Sequence, residues 1–340
     1  LAYAADLEKD AERLAAGVIH PTDKFLREGV EKHLDDFQKD LEGRGRSQKH
    51  IRLTLTRIRK TFSLANVLTL GDIRPQVIRD AILSLDVSTE TKNHHLVACK
   101  AFSRWLMKHG RLPDDPLAGL SRWNAEVDRR VRRRVLTGEE LRRLILTAEQ
   151  SQRTFRGLTG RDRAALYLLA SYSGFRASEL ASLTRGALNL EADPPTVTVE
   201  AAYAKNKRQD TIPLPEDVAK YLRHWMSTRP TIPTPLTRLW PGTWFTKAAK
   251  MIRQDLEEAG IPPSTETGQL DFHSLRGTYA TMLARVGVNL QTAQALMRHS
   301  DPKLTARTYT KLGVTDLGET VRRLDVAVSP HSDREKKTMG

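Results

Sequence analysis

Five arginines fall within six positions near the middle of this chain. Arg129, Arg130, Arg132, Arg133 and Arg134 stand in SRWNAEVDRRVRRRVL, residues 121–136. A charge run of this kind is ordinarily a solvated segment rather than core. It reads as an interdomain linker, dividing 340 residues that are long for a single domain. The whole chain carries a formal net charge of +14, with a pI near 9.9. Basicity does not choose a fold, but it favours a polyanionic partner through phosphate neutralisation and counterion release. A linker between two basic domains that crosses a duplex would meet phosphates. Arg132, Arg133 and Arg134 are therefore candidate DNA contacts, against the alternative of a merely solvated face.

On either side of the run the hydrophobic spacing is mostly helical. Residues 2–18 form an amphipathic charged segment ended by His20-Pro21, an N-terminal extension over 1–20. Segments 24–43, 47–63, 72–84, 89–110 and 115–120 alternate helical periodicity with Gly, Pro or Ser breaks. They predict a bundle of about five helices over 21–122. After the 123–136 linker, Thr137 and Glu140 form a capping-box pattern before LRRLILTAEQ. Helices are expected at about 161–172, 176–184, 215–227, 243–259, 274–286, 290–298 and 302–312. Asp301-Pro302 suits a helix start, and Gly287 and Gly313 suit helix ends. The one convincing β region is TVTVEAAYAKNKRQDTIPL, where two extended runs flank the polar turn Lys205-Asn206-Lys207-Arg208. The fold class is thus mainly α with a small β-hairpin or sheet: a helical bundle, then a mixed α+β domain over 137–328. The tail 329–340 lacks apolar periodicity and is expected to be flexible.

Cys99 is the sole cysteine, so a disulfide within the chain and a cysteine-based zinc site are both excluded; no metal site is expected. No apolar run reaches membrane-spanning length and no signal peptide is visible, so a cytoplasmic, nucleoid-associated protein with no membrane partner is expected. The chain begins at Leu1, which suggests trimming, with any preceding module out of view.

The polar residues that suggest chemistry sit in the second half. In DFHSLRGTYATMLA, His273 and Arg276 share a helix face at i, i+3, while Leu275, Tyr279, Leu283 and Val286 form the opposing apolar stripe. Alone, such a pair is more often a surface pair or a satisfied buried histidine. Arg176 and Glu179 stand at i, i+3 in SYSGFRASELASL, a local salt bridge or an anion-binding arginine at a helix start. Lys205 and Lys207 on the turn are solvated lysines, or ammonium groups reaching a minor groove or a leaving oxygen. His299 follows in LMRHSD. Tyr309, in ARTYTKL, is either core or a nucleophile. A phenol with a pKa near about 10 is a weak nucleophile unless cations favour its phenolate.

GFRASEL, AKNKRQDTIPL, HSLRGTYATMLA, LMRHSD and TYTKL, in this order and spacing, resemble the motifs of the tyrosine recombinases, or phage integrase family. The resemblance covers 137–328 and, more loosely, 22–120, which is similar to the family's core-binding domain. It implies that Arg176 and Arg276 clamp the non-bridging oxygens of a scissile phosphate, as planar, permanently charged forks can. Tyr309 would attack phosphorus and form a 3′-phosphotyrosyl link. Lys205 would protonate the leaving 5′-oxygen, with Lys207 as the alternative. His273 would assist proton transfer, His299 would donate to the phosphate, and Glu179 would order the site. The covalent link keeps the phosphodiester energy, so no nucleotide cofactor is implied, and no P-loop appears. Two positions depart from the pattern: Gly277 stands where a second histidine is common, and Arg298 stands where glycine usually precedes the histidine. That extra cation would be able to touch a phosphate.

In the first domain Lys49, Arg52, Arg57 and Lys60, then Lys92, His94, Lys100 and Arg104, punctuate two helices; Arg59 lies on the first of them. By resemblance these helices would face a major groove, with phosphate contacts dominating affinity. The resemblance implies a site-specific recombinase acting on double-stranded DNA sites as a homotetramer through a Holliday junction. Accessory DNA-bending or directionality proteins are possible partners. The segment TDLGETVRRLDVAV, with Leu317, Val321, Leu324 and Val326, is expected to dock on a neighbouring protomer. Two rivals stand beside this reading: a topoisomerase-like nicking and resealing enzyme, and a DNA-binding regulator without catalysis.

Overall fold

The computed structural model describes residues 22–128, 132–202, 208–229 and 234–309, with backbone alone for 307–309. The extension 1–20, the turn residues Lys205 and Lys207, and everything after Tyr309 lie outside the described residues.

The chain divides into two compact units at Arg130–Val131. In the first, α1 (Asp23–Leu26), α2 (Val30–Gly43), α3 (Gln48–Leu64), α4 (Pro75–Leu83) and α5 (Thr89–Lys108) form the bundle. Their ends follow local chemistry. The Ser47 hydroxyl accepts from the His50 amide to start α3, the Ser88 hydroxyl accepts from the Thr91 amide to start α5, and Pro75 opens α4. Leu34, Phe37, Ile58, Ile82, Leu96, Phe102 and Leu106 fill the core. Phe37 meets Phe102 and Trp105 at 5.4 Å between ring centroids.

Two expectations for this unit fail. The segment 24–43 is not one helix. Gly29 is extended, bridges Thr69, and the Val30 amide donates to the Leu68 carbonyl at 2.9 Å, so an external partner interrupts the ladder. Residues 115–120 are a turn rather than a helix. There the Asp115 carboxylate accepts from the Leu117 amide at 3.0 Å and Lys100 Nζ donates to the Ala118 carbonyl at 2.8 Å, drawing Leu117 into the core.

The second unit contains α6 (Gly138–Gln150), α7 (Gly160–Ser173), α8 (Ala177–Ser182), β1 (Leu188–Asn189), β2 (Thr196–Val199), β3 (Asp210–Pro213), α9 (Glu216–Ser227), α10 (Ala248–Glu258), β4 (Ser264–Thr265), β5 (Gly268–Gln269), α11 (Ser274–Arg285), α12 (Leu290–Met297) and α13 (Pro302–Tyr309). The capping box at Thr137 and Glu140 is present. The antiparallel β2–β3 pair has Thr196 opposite Pro213 and Val199 opposite Asp210, and β1 adds a third strand. Neither β1 nor the small β4–β5 pair was expected, because two-residue strands carry no readable alternation.

The core runs through α6, α7, α9, α10 and α11, with Leu144, Leu166, Leu222, Trp240, Met251 and Leu275 buried. A buried ionic knot ties α7 to α10. Arg163 Nε donates to Asp255 at 2.9 Å, and Tyr167 and Arg153 also donate to that carboxylate. A smaller apolar cluster of Tyr279, Leu283, Ala293 and Met297 joins α11 to α12. Val286 was expected in the stripe facing this cluster but is 69% exposed. The helix ends at Arg285, so Val286 leaves the helical period before it reaches the core.

The described parts of 123–136 are not loose. The Trp123 amide donates to Asn93 Oδ1 at 2.9 Å and Asp128 accepts from Thr89, holding one end to the first unit. At the other end Arg133 bridges Gln269, and the Gln269 amide donates to the Arg132 carbonyl at 2.7 Å. Gly268 permits this approach: its φ is +138°, and a Cβ there would stand 2.6 Å from the Arg132 carbonyl oxygen.

Candidate active site

The site is built where the ends of α7, α11 and α12 meet. Gly174 ends α7 in the left-handed conformation, at φ +63°, and its carbonyl accepts from Arg276 Nη1. The Met297 carbonyl, at the end of α12, accepts from Arg276 Nη2. Arg276 is only 4% exposed. Two helix C-termini thus supply the oxygen dipoles that hold a buried guanidinium. Burial, and then the charges of Arg176 and Arg298, lower its pKa to about 10.

Arg176 precedes α8. Its backbone N–H and its Nη1 donate to the two oxygens of Glu179, each at 2.9 Å. The local salt bridge is therefore real, and it also aims the guanidinium. Glu179 is 1% exposed and accepts a second guanidinium, Arg298 Nη2, at 2.6 Å. Burial pushes the Glu179 carboxyl up, but the Arg176 amide and the Arg298 charge outweigh it and the net shift is downward.

His273 is exposed at the start of α11. Asp271 and Ser274 fix the turn around it by reciprocal bonds, each of 3.1 Å between backbone amide and side-chain oxygen. Its imidazole pKa is lowered by desolvation and by the charges of Arg133 and Arg276, against an opposing pull from Asp271. Arg176, Asp271 and His273 line one cleft, with Ala177 and Ala249 in its wall.

His299 follows α12, and its Nδ1 lies 2.8 Å from Thr305 Oγ1. Thr305 is fully buried on α13. Burial, then Arg276, Arg176 and His273, lower the His299 pKa to about 4. The imidazole is thus neutral in the free protein at neutral pH. Asp301 starts α13 as expected, accepting from the Lys303 amide at 3.0 Å. Tyr309 ends this helix one turn beyond Thr305; its side chain lies outside the described residues.

Arg176, Glu179, His273, Arg276 and His299 are brought together: Arg176 is bonded to Glu179 and shares a cleft with His273, and Arg276 is anchored two residues before Arg176 and two before His299. Lys205 and Lys207 lie outside the described residues. The reading of Arg298 as a phosphate contact is corrected. Its side chain is 4% exposed, bonded to Glu179, 3.6 Å from Asp210 and 4.3 Å from the Phe175 ring centroid. Gly277 leaves room for Val135: a Cβ at 277 would stand 3.1 Å from Val135 Cγ1. Sequence reasoning missed Thr305, Asp271 and the carbonyls of Gly174 and Met297. Of these, only Gly174 carries a sequence signal, as a glycine interrupting the apolar helical run before Arg176.

The basic residues expected on DNA divide. Arg134 donates to both oxygens of Glu140, at 3.0 and 2.9 Å, and to the Pro262 carbonyl, so it is committed to the fold. Arg133 is 54% exposed but donates to Asp271 at 2.6 Å; Arg132 is exposed. In the first unit Lys49, Arg52, His94 and Arg104 are exposed, Arg57 is half-buried, and Lys92 Nζ donates to the Leu83 carbonyl. Lys100 secures the 118–120 turn, which gives it a structural role.

The family model described as the phage integrase family matches residues 134–315. The tyrosine recombinase XerC of Erythrobacter litoralis is 29% identical over 268 residues, covering 78% of this chain and 83% of that protein. The tyrosine recombinase XerC of Azotobacter vinelandii is 31% identical over 219 residues, covering 64% and 68%. Among solved structures, a lambda integrase dimer bound to a COC' core site shares the fold with a TM-score of 0.66 at 18% identity, covering 89% of this chain and 100% of that one. The Tn1549 transposon integrase in complex with a circular intermediate DNA gives 0.64 at 16% identity, covering 86% and 99%. With the clustered arginines and histidines and the helix that ends in Tyr309, these matches make the chain a member of the phage integrase family, the site-specific tyrosine recombinases that cleave and rejoin DNA.

Proposed function

We propose that Tyr309 is the nucleophile of this recombinase and that Arg176, Arg276, His273 and His299 form the pocket for the scissile phosphate. The observation that carries this reading is the buried Arg276, anchored on the carbonyls of Gly174 and Met297, which stand two residues before Arg176 and His299 respectively. Fixed guanidinium groups stabilise the charge that grows on the non-bridging oxygens, and they need no reorganisation as it grows. Attack by the Tyr309 oxygen forms the phosphorus–tyrosine bond and releases the 5′-oxygen. Lys205, or Lys207, supplies that oxygen with a proton. With Thr305 Oγ1 as the donor to His299 Nδ1 across their 2.8 Å contact, the ring proton would sit on Nε2, free to donate to a phosphate oxygen. His273 takes up the tyrosyl proton or returns it during rejoining.

The partner is double-stranded DNA; the similar lambda integrase is bound to a COC' core site and the similar Tn1549 integrase to a circular intermediate DNA. Four protomers on two sites would exchange strands through a Holliday junction. Exposed basic residues of the first unit supply non-specific phosphate affinity. No described helix is long and apolar enough to cross a membrane, and we place the protein with DNA in the cytoplasm.

A two-site plasmid assay separates recombination from nicking and resealing. Recombinant products carrying exchanged flanks are expected; relaxation of supercoils with no exchanged product would favour the topoisomerase-like reading.

A further inference from the structure

Residues 132–136 belong to a charge run whose sequence predicts a solvated linker, yet they form a strap laid along β5 and the start of α11. The Gln269 amide donates to the Arg132 carbonyl at 2.7 Å, and the Arg134 amide donates back to the Gln269 carbonyl at 3.1 Å. Val135 packs over Gly277, its Cγ1 3.1 Å from where a Cβ would stand. The Leu136 amide donates to the Thr278 hydroxyl at 3.0 Å, and that hydroxyl donates in turn to the Ser274 carbonyl at 3.0 Å. The strap therefore grips the end of α11 that carries His273 and Arg276.

Arg133 ties the strap to the cleft. Its Nε donates to Asp271 Oδ2 at 2.6 Å. The other oxygen, Oδ1, accepts from the Ser274 amide at 3.1 Å and helps to start α11. Asp271 lines the same cleft as Arg176 and His273. A carboxylate set loose there would attract the imidazole and the Arg176 guanidinium, and would repel an incoming phosphate. With Arg133 54% exposed, the pair adds little to stability. Its effect is to fix where a negative charge stands. We propose that Arg133 is a positioning residue for the cleavage site: held by the strap, it fixes Asp271 at the start of α11 and keeps that carboxylate away from His273 and the phosphate clamp.

Among the described residues, the charged or titratable groups facing His273 are Arg133 on the strap, Asp271 in its own turn, Arg276 on α11, Arg176 before α8 and His299 after α12. Arg133 disfavours the imidazolium and Asp271 favours it. Loss of Arg133 alone therefore moves the His273 titration to higher pH, and loss of both charges moves it back.

This inference rests on the proposed phosphate site and on the proposed role of His273, so wild type and His273→Gln are first compared on a suicide substrate. No adduct from wild type, or wild-type rates in His273→Gln, counts against that reading. Arg133 is then judged by the NMR titration of His273 in the free protein, which needs no DNA. The variants are Arg133→Gln alone and Arg133→Gln with Asp271→Asn added. Asparagine keeps an Oδ1 acceptor for Ser274 while losing the charge.

Arg133→Gln should slow single-turnover cleavage at saturating DNA by roughly 10-fold, in the range of a misplaced group. The loss should be greatest on the acid side, because the His273 titration moves to higher pH. DNA affinity should stay within about threefold of wild type, less than the loss of one phosphate contact between low and moderate salt. Adding Asp271→Asn should recover most of the rate and return the titration toward that of wild type. An unmoved His273 titration in Arg133→Gln, a double variant as slow as the single one, or a loss confined to DNA affinity would each overturn the proposal.

Discussion

The two units carry their positive charge in opposite ways. In the second unit three arginines are buried and committed: Arg276 to two carbonyls, Arg298 to Glu179, Arg163 to Asp255. In the first unit Lys49, Arg52 and Arg104 lie at the surface, and contacts such as Arg59 with Glu31 at 2.9 Å are exposed pairs worth little. Buried charge is costly to assemble but does not reorganise when a phosphate arrives; surface charge is cheap, mobile and screened by salt. Under the proposed function, one unit is arranged for chemistry and the other for attraction.

The comparison breaks most readily at Arg276. Arg276→Ala should lower the single-turnover cleavage rate by roughly 10²–10³-fold, the size seen when one preorganised oxyanion donor is removed. DNA affinity, measured by titration at fixed salt, should change far less. If affinity fell as steeply as rate, buried and surface charge would not be doing different work.

The converse experiment sharpens it. Changing Lys49 and Arg52 together to alanine should reduce the salt dependence of DNA binding, with the log–log slope falling by about 0.9 for each phosphate contact removed. Cleavage at saturating DNA should be unaltered.

Leu283→Ala and Val286→Ser test where the α11 stripe ends. The first should cost about 2–5 kcal/mol in a denaturant titration, as buried leucine truncations do. The second should stay within about 0.5 kcal/mol, as an exposed position does.

A further test concerns pH. His299 is held neutral in the folded protein, with its pKa lowered from 6.5 to about 4. Between those values the unfolded chain binds the extra proton, so stability is full above pH 6.5 and falls as pH drops through this window toward 4. His273, His33 and His95, also lowered, act in the same direction. A melting series should show the decline, and His299→Asn should flatten part of it. A flat wild-type curve would contradict the burial of this imidazole.

What was legible in the sequence followed from periodicity and short polar motifs. The helices of the second unit, the capping box at Thr137 and the β2–β3 pair are all local patterns. So are the motifs that place Arg176, His273, Arg276 and His299 near one another once a family resemblance orders them. What was not legible depended on distant partners. Nothing local shows that Gly29 would pair with Thr69 and split a helix, or that Asp115 would hold 115–120 as a turn. Arg298 read as a phosphate contact because a cation beside a site histidine looks solvent-facing until Glu179, Asp210 and Phe175 are seen around it. Lys100 read as a DNA contact for the same reason, before the Ala118 carbonyl appeared as its acceptor.

The central claim is that clustered cations make an otherwise weak phenol at 309 into the attacking group. The most direct test is denaturing electrophoresis of wild type and Tyr309→Phe after reaction with a suicide substrate that traps the cleaved strand. A covalent protein–DNA band from wild type alone is the predicted result. A band of equal intensity from Tyr309→Phe would contradict the account and place the nucleophile elsewhere.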